Sequence, residues 1–493
     1  MSAAGGVEHA RLGVVDEIFL RGHRGLGTPN VLQGLWRTAD PVDPGLLHRL
    51  HAALRTGELG RRVVRSRVPG ARPSWRRNVR AHPLLLASRP LTPAQALTWA
   101  AGLGGDLDPE AGPGWRLAAT PLVDGGTVIA LTCSHVLADA RGLVHAANLA
   151  LAGVGGQDGA VCPPTPSASP PAGPPPEFAD PSACPPASAG PGSDWADAAR
   201  QWSIVLGGTA RALTHRVRSR AAHAHRTAPA VGASFGDTVP PPGISTVPPP
   251  GISAARDARA AAVRAESARR HRTDPLPVHS IAASCDATEW DRIARERGGT
   301  ANSLFIHLVA ETLRTAGALG RFDWAGIEAS LPVDLRDTPR VTNAIAVTSV
   351  VVEPDDDPAT LRAKARASYE RRMTAPAGVP EEILQVVGDR LAHLMAAGAG
   401  ERDILCSNIG DLPQRLLTFG PHRCLGVAAR AIHPGLTVGA RPRTRLSGYL
   451  CRIGARYTLC LVALDPPGIE SAEELAEITG RVAAGLAVPL TFW

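Results

Sequence analysis

The sequence predicts an α/β protein built as two lobes, and three observations support that prediction. Residues 7–156 and residues 281–493 each alternate short apolar runs, typical of strands, with segments of helical periodicity. Between them, residues 157–280 are rich in proline and cannot form a core. A chain of 493 residues is long enough for two or more domains, each with its own interior. We therefore expect two α/β lobes joined by a long crossover linker.

The first lobe shows clear helix starts and one strand pair. Asp43 and Thr92 are each followed by proline, which suits the first helical turn because its missing N–H has no partner there. Residues 115–123 and 127–133 are strand-like, and residues 124–126 (Asp-Gly-Gly) permit a tight reversal between them. The second strand is apolar on both faces, so we expect it inside the sheet.

The linker contains two kinds of segment. Residues 162–176 and the tandem octapeptide repeat at 238–253 are proline-rich, so we expect extended, mobile chain. Residues 195–217 have helical character, and we expect one docked helix there, interrupted at Gly207 and Gly208. A slippage duplication in a tolerant linker is the favoured explanation of the repeat over a partner-binding motif.

The α/β pattern returns in the second lobe. The expected strands are residues 326–332, 344–352, 446–453 and 456–463. The expected helices begin at Asn302, Asp357, Val379 and Ser471. In the helix after Val379, four apolar side chains are expected to face inward: Leu384, Val387, Leu391 and Leu394.

Composition excludes several classes of function. The net charge of +7 comes from arginines without interleaved aromatic residues, so nucleic-acid binding is not expected. The eight cysteines show no CxxC spacing, which favours a reducing compartment. No signal peptide and no apolar stretch of about 20 residues is present, so we expect a cytoplasmic protein, with peripheral contact to the inner membrane face left open. No metal-ligand or phosphate-loop motif is visible, so no metal and no bound cofactor is expected.

The chemistry of the sequence centres on residues 127–142. His135 follows the buried strand and Asp139 comes four residues later. A histidine at a strand end can act as a general base, because its pKa lies near neutrality. By spacing alone, however, the pair is more typical of an ordinary histidine beside a helix-capping aspartate.

The wider context favours a catalytic role. Residues 113–144 resemble the active-site segment of the chloramphenicol acetyltransferase-like acyltransferases, which include condensation domains and wax-ester synthase/diacylglycerol acyltransferases. The signature of that superfamily is His-His-x-x-x-Asp-Gly after a strand. His135 matches the catalytic histidine and Asp139 the aspartate, while Ser134 replaces the first histidine and Ala140 the glycine.

Four further segments resemble the wax-ester synthase type, in the same order along the chain: residues 14–37, 300–314, 330–347 and 405–413. The third carries Arg336 and Asn343, and the fourth carries Ser407 and Asn408, at matching positions. The similarity covers most of both lobes and skips the linker.

The resemblance implies a pseudo-dimer of two lobes with a tunnel between them, entered by donor and acceptor from opposite faces. His135 would deprotonate a small alcohol or amine, which attacks an acyl thioester directly. Ser407 and Asn408 are candidates to stabilise the oxyanion. Asp139 would be a structural brace held by Arg336. The donor would be acyl-CoA or an acyl carrier thioester, an acyl carrier protein is a candidate partner, and we expect a monomer.

Two residues left over from the resemblance, Ser134 and Asn343, are candidate substrate contacts together with Arg336. The altered motif leaves an alternative open, namely a catalytically degenerate relative that binds an acyl carrier or a partner enzyme. An epimerisation or cyclisation variant is a third reading, which the lack of an attached carrier domain disfavours.

Overall fold

The computed structural model describes residues 11–26, 28–155, 191–224, 272–319, 326–371, 382–396 and 401–493. Its helices are α1 (Val14–His23), α2 (Pro44–Thr56), α3 (Pro93–Ala101), α4 (Ala140–Gly155), α5 (Pro191–Ala224), α6 (Ala287–Glu296), α7 (Ala301–Leu319), α8 (Pro358–Arg371), α9 (Ile383–Val386), α10 (Asp389–Ala396) and α11 (Ala472–Gly485). Its strands are β1 (Val31–Thr38), β2 (Arg61–Val64), β3 (Ser74–Arg77), β4 (Leu85–Leu86), β5 (Trp115–Pro121), β6 (Thr127–Ser134), β7 (Val278–Asp286), β8 (Ile327–Asp334), β9 (Ile345–Val352), β10 (Ile404–Asp411), β11 (Thr418–Phe419), β12 (His422–Ile432), β13 (Leu446–Ile453), β14 (Arg456–Leu464) and β15 (Thr491–Phe492).

The strands form two large sheets, and this confirms the predicted α/β fold. The first has six strands in the order β11-β12-β1-β6-β5-β4, and the second has seven in the order β15-β7-β14-β13-β10-β8-β9. The predicted antiparallel pairs β5–β6 and β13–β14 are both present. A small β2–β3 hairpin lies outside the two sheets.

Two strands from the second half of the chain join the sheet of the first half. Strands β11 and β12 come from the second half, yet they lie in the first sheet, where β12 pairs antiparallel with β1 from Val31–Ile432 to Thr38–Cys424. Sequence reasoning did not predict β12, because Arg430 interrupts its apolar pattern. The buried Arg430 guanidinium donates to the Gln33 side chain at 2.8–2.9 Å and to the Leu97 carbonyl at 2.6 Å. Internal partners therefore make an arginine acceptable in a central strand.

The apolar core continues from one half to the other. The core around β6 and α4 includes Ile409, Leu412 and Tyr449 of the second half. A second core lies between the larger sheet and α6, α7 and α11, and Trp290 and Phe305 are its largest fully buried side chains. The two lobes therefore share a packed interface, and the predicted motif lies beside it.

The start of α7 differs from the expectation. Thr300 and Ser303 cap each other: the Thr300 N–H donates to Ser303 Oγ at 2.8 Å and the Ser303 N–H to Thr300 Oγ1 at 3.2 Å. The prediction of Asn302 as the cap was therefore wrong. Because Asn302 is not needed as a cap, its side chain is available for contacts with α8 and β10.

The segment after Val379 also differs. The expected start at Val379 lies outside the described residues. Within residues 382–396 the chain forms two short helices, α9 and α10, and it is extended at Val387 before Gly388. Leu384 is buried, but Leu391 and Leu394 are 52% and 70% exposed, so the inward orientation predicted for them was wrong.

Within the predicted linker, the structure describes a long helix, α5, which can be compared with the expected helix. Helix α5 is longer than expected and runs through Gly207 and Gly208 without interruption. The proline-rich residues 162–176 and the repeat at 238–253 lie outside the described residues, and the division of the chain at 156 and 280 stays a prediction. Among the described helices, none combines the length and the apolar character that crossing a membrane requires.

Candidate active site

Strand β6 presents His135 from the interior of the first sheet. All eight of its residues are buried, and it lies between β1 and β5. The strand ends at Ser134, whose N–H donates to the Gly114 carbonyl at 2.8 Å. A turn follows, and α4 begins at Ala140. His135 therefore stands on a rigid strand end at the start of a helix.

The ring of His135 is held on two sides. It stacks on Phe19 of α1, with ring centroids 3.6 Å apart and an angle of 18° between planes. Its Nδ1 lies 3.2 Å from Oδ1 of Asn343. Burial lowers the pKa of His135 below its ordinary value, against smaller opposing effects of Asp139 and Asn343. The imidazole is therefore neutral at neutral pH, which is the form that a base requires.

Asn343 determines which nitrogen of His135 carries the proton. Its Nδ2 donates to Asp16 Oδ1 and the His135 carbonyl, both at 2.8 Å, and to the Val136 carbonyl at 3.1 Å. These acceptors orient the amide, so its Oδ1 must face the histidine as an acceptor. Nδ1 of His135 then carries the hydrogen, and the lone pair lies on Nε2.

The carboxylate of Asp139 bonds to the second half of the chain and to the start of α4. It accepts from Arg336 at 2.5 Å, from the Gly142 N–H at 2.9 Å and from the Ala344 N–H at 3.0 Å. The side chains of Asp139 and Arg336 are 4% and 7% exposed. The structure thus places the predicted arginine against this aspartate, and the carboxylate links the start of α4 to the segment that precedes β9.

That segment, residues 341–344, is bonded to the first half at Val341, Asn343 and Ala344, and we call it the cross-lobe strap. The Val341 N–H donates to Glu58 at 3.1 Å, and the Val341 carbonyl accepts from Arg61 at 2.6 Å. Arg61 also donates to the Leu137 carbonyl at 2.5 Å, within the histidine turn. Arg336 bonds the Thr342 carbonyl.

A glycine allows the strap to approach α4 closely. A Cβ atom at Gly142 would lie 3.0 Å from the Thr342 carbonyl oxygen and 3.1 Å from Cβ of Ala138. These distances are shorter than ordinary contacts between such atoms. The small residue required here is therefore Gly142, two positions after the site where the superfamily signature has its glycine and this chain has Ala140.

Ser134 lies inside the turn. It is buried, and its hydroxyl accepts from the Val136 N–H at 3.4 Å. The hydroxyl therefore takes part in the turn that carries His135. Phe19 and Arg61, which the sequence did not indicate, complete this half of the site together with Asp16, which lies in the segment 14–37 that resembles the wax-ester synthase type. The spacing of Asp16 and Phe19, three residues apart in a helix, was the available signal for one shared face.

Ser407 and Asn408 lie on β10 of the second sheet. The Asn408 side chain is exposed and donates to Asn302 Oδ1 at 3.0 Å, while its own Oδ1 accepts from the Gly410 N–H at 3.0 Å. Asn302 in turn donates to the Tyr369 hydroxyl at 3.0 Å. In the described part of the chain, no hydrogen bond joins Ser407 or Asn408 to His135.

Through Asn302, Asn408 adjoins a different surface feature, which we call the α7–α8 cleft. It has a volume of about 640 Å³ and is lined by Thr300, Asn302, Ser303, Arg362, Ala365, Arg366, Tyr369 and Glu370. A bulge in β10, at which the pairing with β13 shifts between Asn408 and Gly410, re-aims the strand end here.

Other nucleophiles and ligands contribute little. The six described cysteines are free and buried, and burial raises the pKa of Cys133 and Cys460 to about 12. Such thiols are not nucleophiles at neutral pH. Within the described ranges, no cluster of three or more histidine, cysteine, aspartate or glutamate side chains has the geometry of a metal site.

Neither a family model nor a curated protein sequence matches this chain. Solved structures do match. The first condensation domain of the calcium-dependent antibiotic synthetase, in complex with a substrate analogue, is 14% identical, with a TM-score of 0.52 and coverage of 99% of both chains. The chain has the condensation-domain fold. The fold that the resemblance implied is therefore confirmed.

Two further structures with this overall similarity have lower TM-scores. Wax ester synthase/diacylglycerol acyltransferase from Marinobacter aquaeolei VT8 is 13% identical, with a TM-score of 0.49 and coverage of 97% of this chain and 100% of that chain. Polyketide synthase associated protein 5 from Mycobacterium tuberculosis is 12% identical, with a TM-score of 0.48 and coverage of 97% of both chains.

Proposed function

We propose that this protein is an acyltransferase that moves an acyl group from a thioester to a hydroxyl or amine, with His135 as the general base. One observation carries the proposal: Asn343, from the other half of the chain, faces Nδ1 of His135 at 3.2 Å and leaves Nε2 as the basic nitrogen. The donor in this proposal is acyl-CoA or an acyl carrier thioester. The acceptor is a small alcohol or amine.

In the proposed reaction, Nε2 of His135 takes the proton of the acceptor while the acceptor oxygen or nitrogen attacks the thioester carbonyl. The tetrahedral intermediate then collapses, the carbon–sulfur bond breaks, and the imidazolium returns the proton to the departing thiolate. No covalent enzyme intermediate forms. Asp139 raises the pKa of His135 from a distance and so favours the transient imidazolium.

Roles for the remaining predicted residues follow from their contacts. Arg336 and Ser134 bond to protein groups, so we propose that they position the histidine turn and do not bind substrate. For the oxyanion, Ser407 and nearby backbone N–H groups are the stronger candidates, since the Asn408 amide already donates to Asn302. Substrates in this proposal approach through a tunnel between the lobes from opposite faces.

The altered signature, with Ser134 and Ala140, supports a second candidate function, namely a degenerate relative that binds an acyl carrier without turnover. Two features favour activity over this candidate. The strap keeps Nδ1 of His135 paired, and Gly142 supplies the close approach at the start of α4.

The decisive experiment incubates the full-length protein with a panel of acyl-CoA and acyl carrier thioesters and a panel of alcohols and amines, and measures thiol release. We expect turnover, and a loss of about 10²–10⁴-fold in His135→Ala. The matched control is His422→Ala, since His422 pairs with Asp40 at 2.7 Å on another part of the surface. Turnover that survives in His135→Ala would overturn the proposed base. Thioester binding with no turnover on any acceptor would favour the degenerate candidate.

A further inference from the structure

Helix α5 presents one face to the first lobe. Ala198, Gln201 and Val205, spaced three and four residues apart, are 3–5% exposed and form that face. Its two acidic residues are engaged: Asp194 accepts from Arg11 and Ser66, and Asp197 accepts from the guanidinium and the backbone N–H of Arg72. The helix is thus fixed to the body of the protein in a defined orientation.

A second face of α5 is apolar and exposed. Trp195, Trp202 and Leu206 are seven and four residues apart, so they form one stripe along the helix. They are 63%, 43% and 64% exposed. The indole of Trp202 touches Gly70, which holds the stripe in place. Exposed tryptophans along one helix are unusual on a surface that contacts only water.

The stripe has apolar neighbours on the adjoining helices. Helix α5 contacts α9, which contacts α1 and α10. These helices expose Ile18 on α1, and Leu391 and Leu394 on α10. Helix α1 also carries Phe19, which stacks on His135. The helices with exposed apolar side chains therefore adjoin the candidate active site.

The charge of α5 is one-sided. After Asp197 the sequence has no acidic residue until Asp237, and the helix contains five arginines at positions 200, 211, 216, 218 and 220. Since Asp194 and Asp197 are already paired with arginines, the remaining charge is positive. The helix thus combines an apolar stripe with a positive net charge.

We propose that α5, together with α10, is a docking surface for an anionic lipid bilayer. Tryptophan and leucine on one stripe and arginines elsewhere on the helix are the composition of helices that lie in the membrane interface. The apolar side chains insert between headgroups, and the arginines attract the anionic lipids. This inference concerns binding and holds whether or not the protein transfers acyl groups.

The test uses full-length protein and sedimentation with two kinds of vesicle, phosphatidylcholine alone and a phosphatidylcholine–phosphatidylglycerol mixture. We expect binding to the mixture that weakens at high salt. The double variant Trp195→Glu with Leu206→Glu is expected to bind at least about tenfold more weakly. The matched control is Val123→Glu with Leu425→Glu, which changes side chains 63% and 44% exposed elsewhere on the surface and should bind as the unmodified protein.

Circular dichroism and thermal unfolding show whether each variant is folded, and Trp195→Ala with Leu206→Ala provides a second variant without added charge. Absence of binding to the anionic vesicles, or equal loss in both double variants, would overturn the proposal. Two further results would also overturn it. In both, the stripe variants bind vesicles normally; in one they no longer form a dimer that the unmodified protein forms, and in the other they no longer bind an acyl carrier protein that it binds.

Discussion

The predicted site residues His135 and Asn408, which the structure places on different sheets, are held in different ways. At the His135 end, the strap is fixed by buried charges and backbone groups, with Asp139 and Arg336 at its centre. At the Asn408 end, the strand tip is tied by side-chain amides, and the Asn408 side chain is exposed. The difference shows which of the two side chains the fold holds by buried contacts. The imidazole of His135, the proposed base, is held by contacts from both halves of the chain, whereas the Asn408 side chain contacts only groups of the second half.

The largest expected effect comes from breaking the buried pair. Arg336→Ala leaves the Asp139 carboxylate, 4% exposed, without its charged partner. Removing one member of such a pair lowers the free energy of unfolding by about 3–5 kcal/mol. Urea unfolding followed by circular dichroism measures this. As a control, Arg366→Ala removes an exposed ion pair with Glu370 and should leave the stability nearly unchanged. Equal stabilities of the two variants would show that the strap is not held as described.

A smaller loss of stability is expected when a side chain is added on α4 where it contacts the strap. Gly142→Ala places a methyl group 3.0 Å from the Thr342 carbonyl oxygen, and overpacking of this kind costs about 1–3 kcal/mol. Gly153→Ala, on the same helix with no heavy atom within 4 Å, is the matched control and should be neutral or slightly stabilising. Thermal unfolding of both variants, with acyl transfer measured in parallel, tests this. Equal unfolding temperatures and equal rates in the two variants would show that the close approach is unimportant.

The pH dependence tests the histidine environment. Because burial lowers the pKa of His135, the native ring resists a proton that the unfolded chain accepts near pH 6.5. The free energy of unfolding should therefore decrease as the pH falls below 6.5, because the unfolded chain binds the proton more readily. Activity should fall only below that pH, because the native ring stays neutral down to its lowered pKa. In Asn343→Asp, the added carboxylate favours the imidazolium, so the acid limb of kcat/KM should move to higher pH. An unchanged limb in this variant would contradict the contact between residues 135 and 343.

The smallest effect on stability and rate is expected at Asn302 and Asn408. Asn302→Ala removes the acceptor for Asn408, and loss of one such hydrogen bond costs about 0.5–1.5 kcal/mol. If Ser407 and backbone groups stabilise the oxyanion, Asn408→Ala should change kcat by only a few-fold. A loss of about 10²–10³-fold in Asn408→Ala would instead assign the oxyanion donor to that side chain. Initial-rate measurements on both variants distinguish these outcomes.

Local pattern carried the prediction of the fold and of part of the site. Periodicity and turn residues were sufficient for β5, β6, β13 and β14, because each pair is close in sequence. The motif indicated His135 and Asp139, and the resemblance of residues 330–347 pointed to Arg336. Contacts between distant segments could not be predicted in this way. Arg61 reaches Val341, 280 positions away, and no local signal encodes that separation.

The strand exchange has a consequence for how the chain reaches its native state. Strand β1, residues Val31–Thr38, lies between β6 and β12, and β12 ends at Ile432. A ribosome must therefore synthesise most of the chain before the first sheet can close, and until then one side of β1 is an unpaired edge. Such edges are prone to association with other chains. Residues 1–156 expressed alone would expose this edge permanently, so the first lobe depends on the second to complete its sheet.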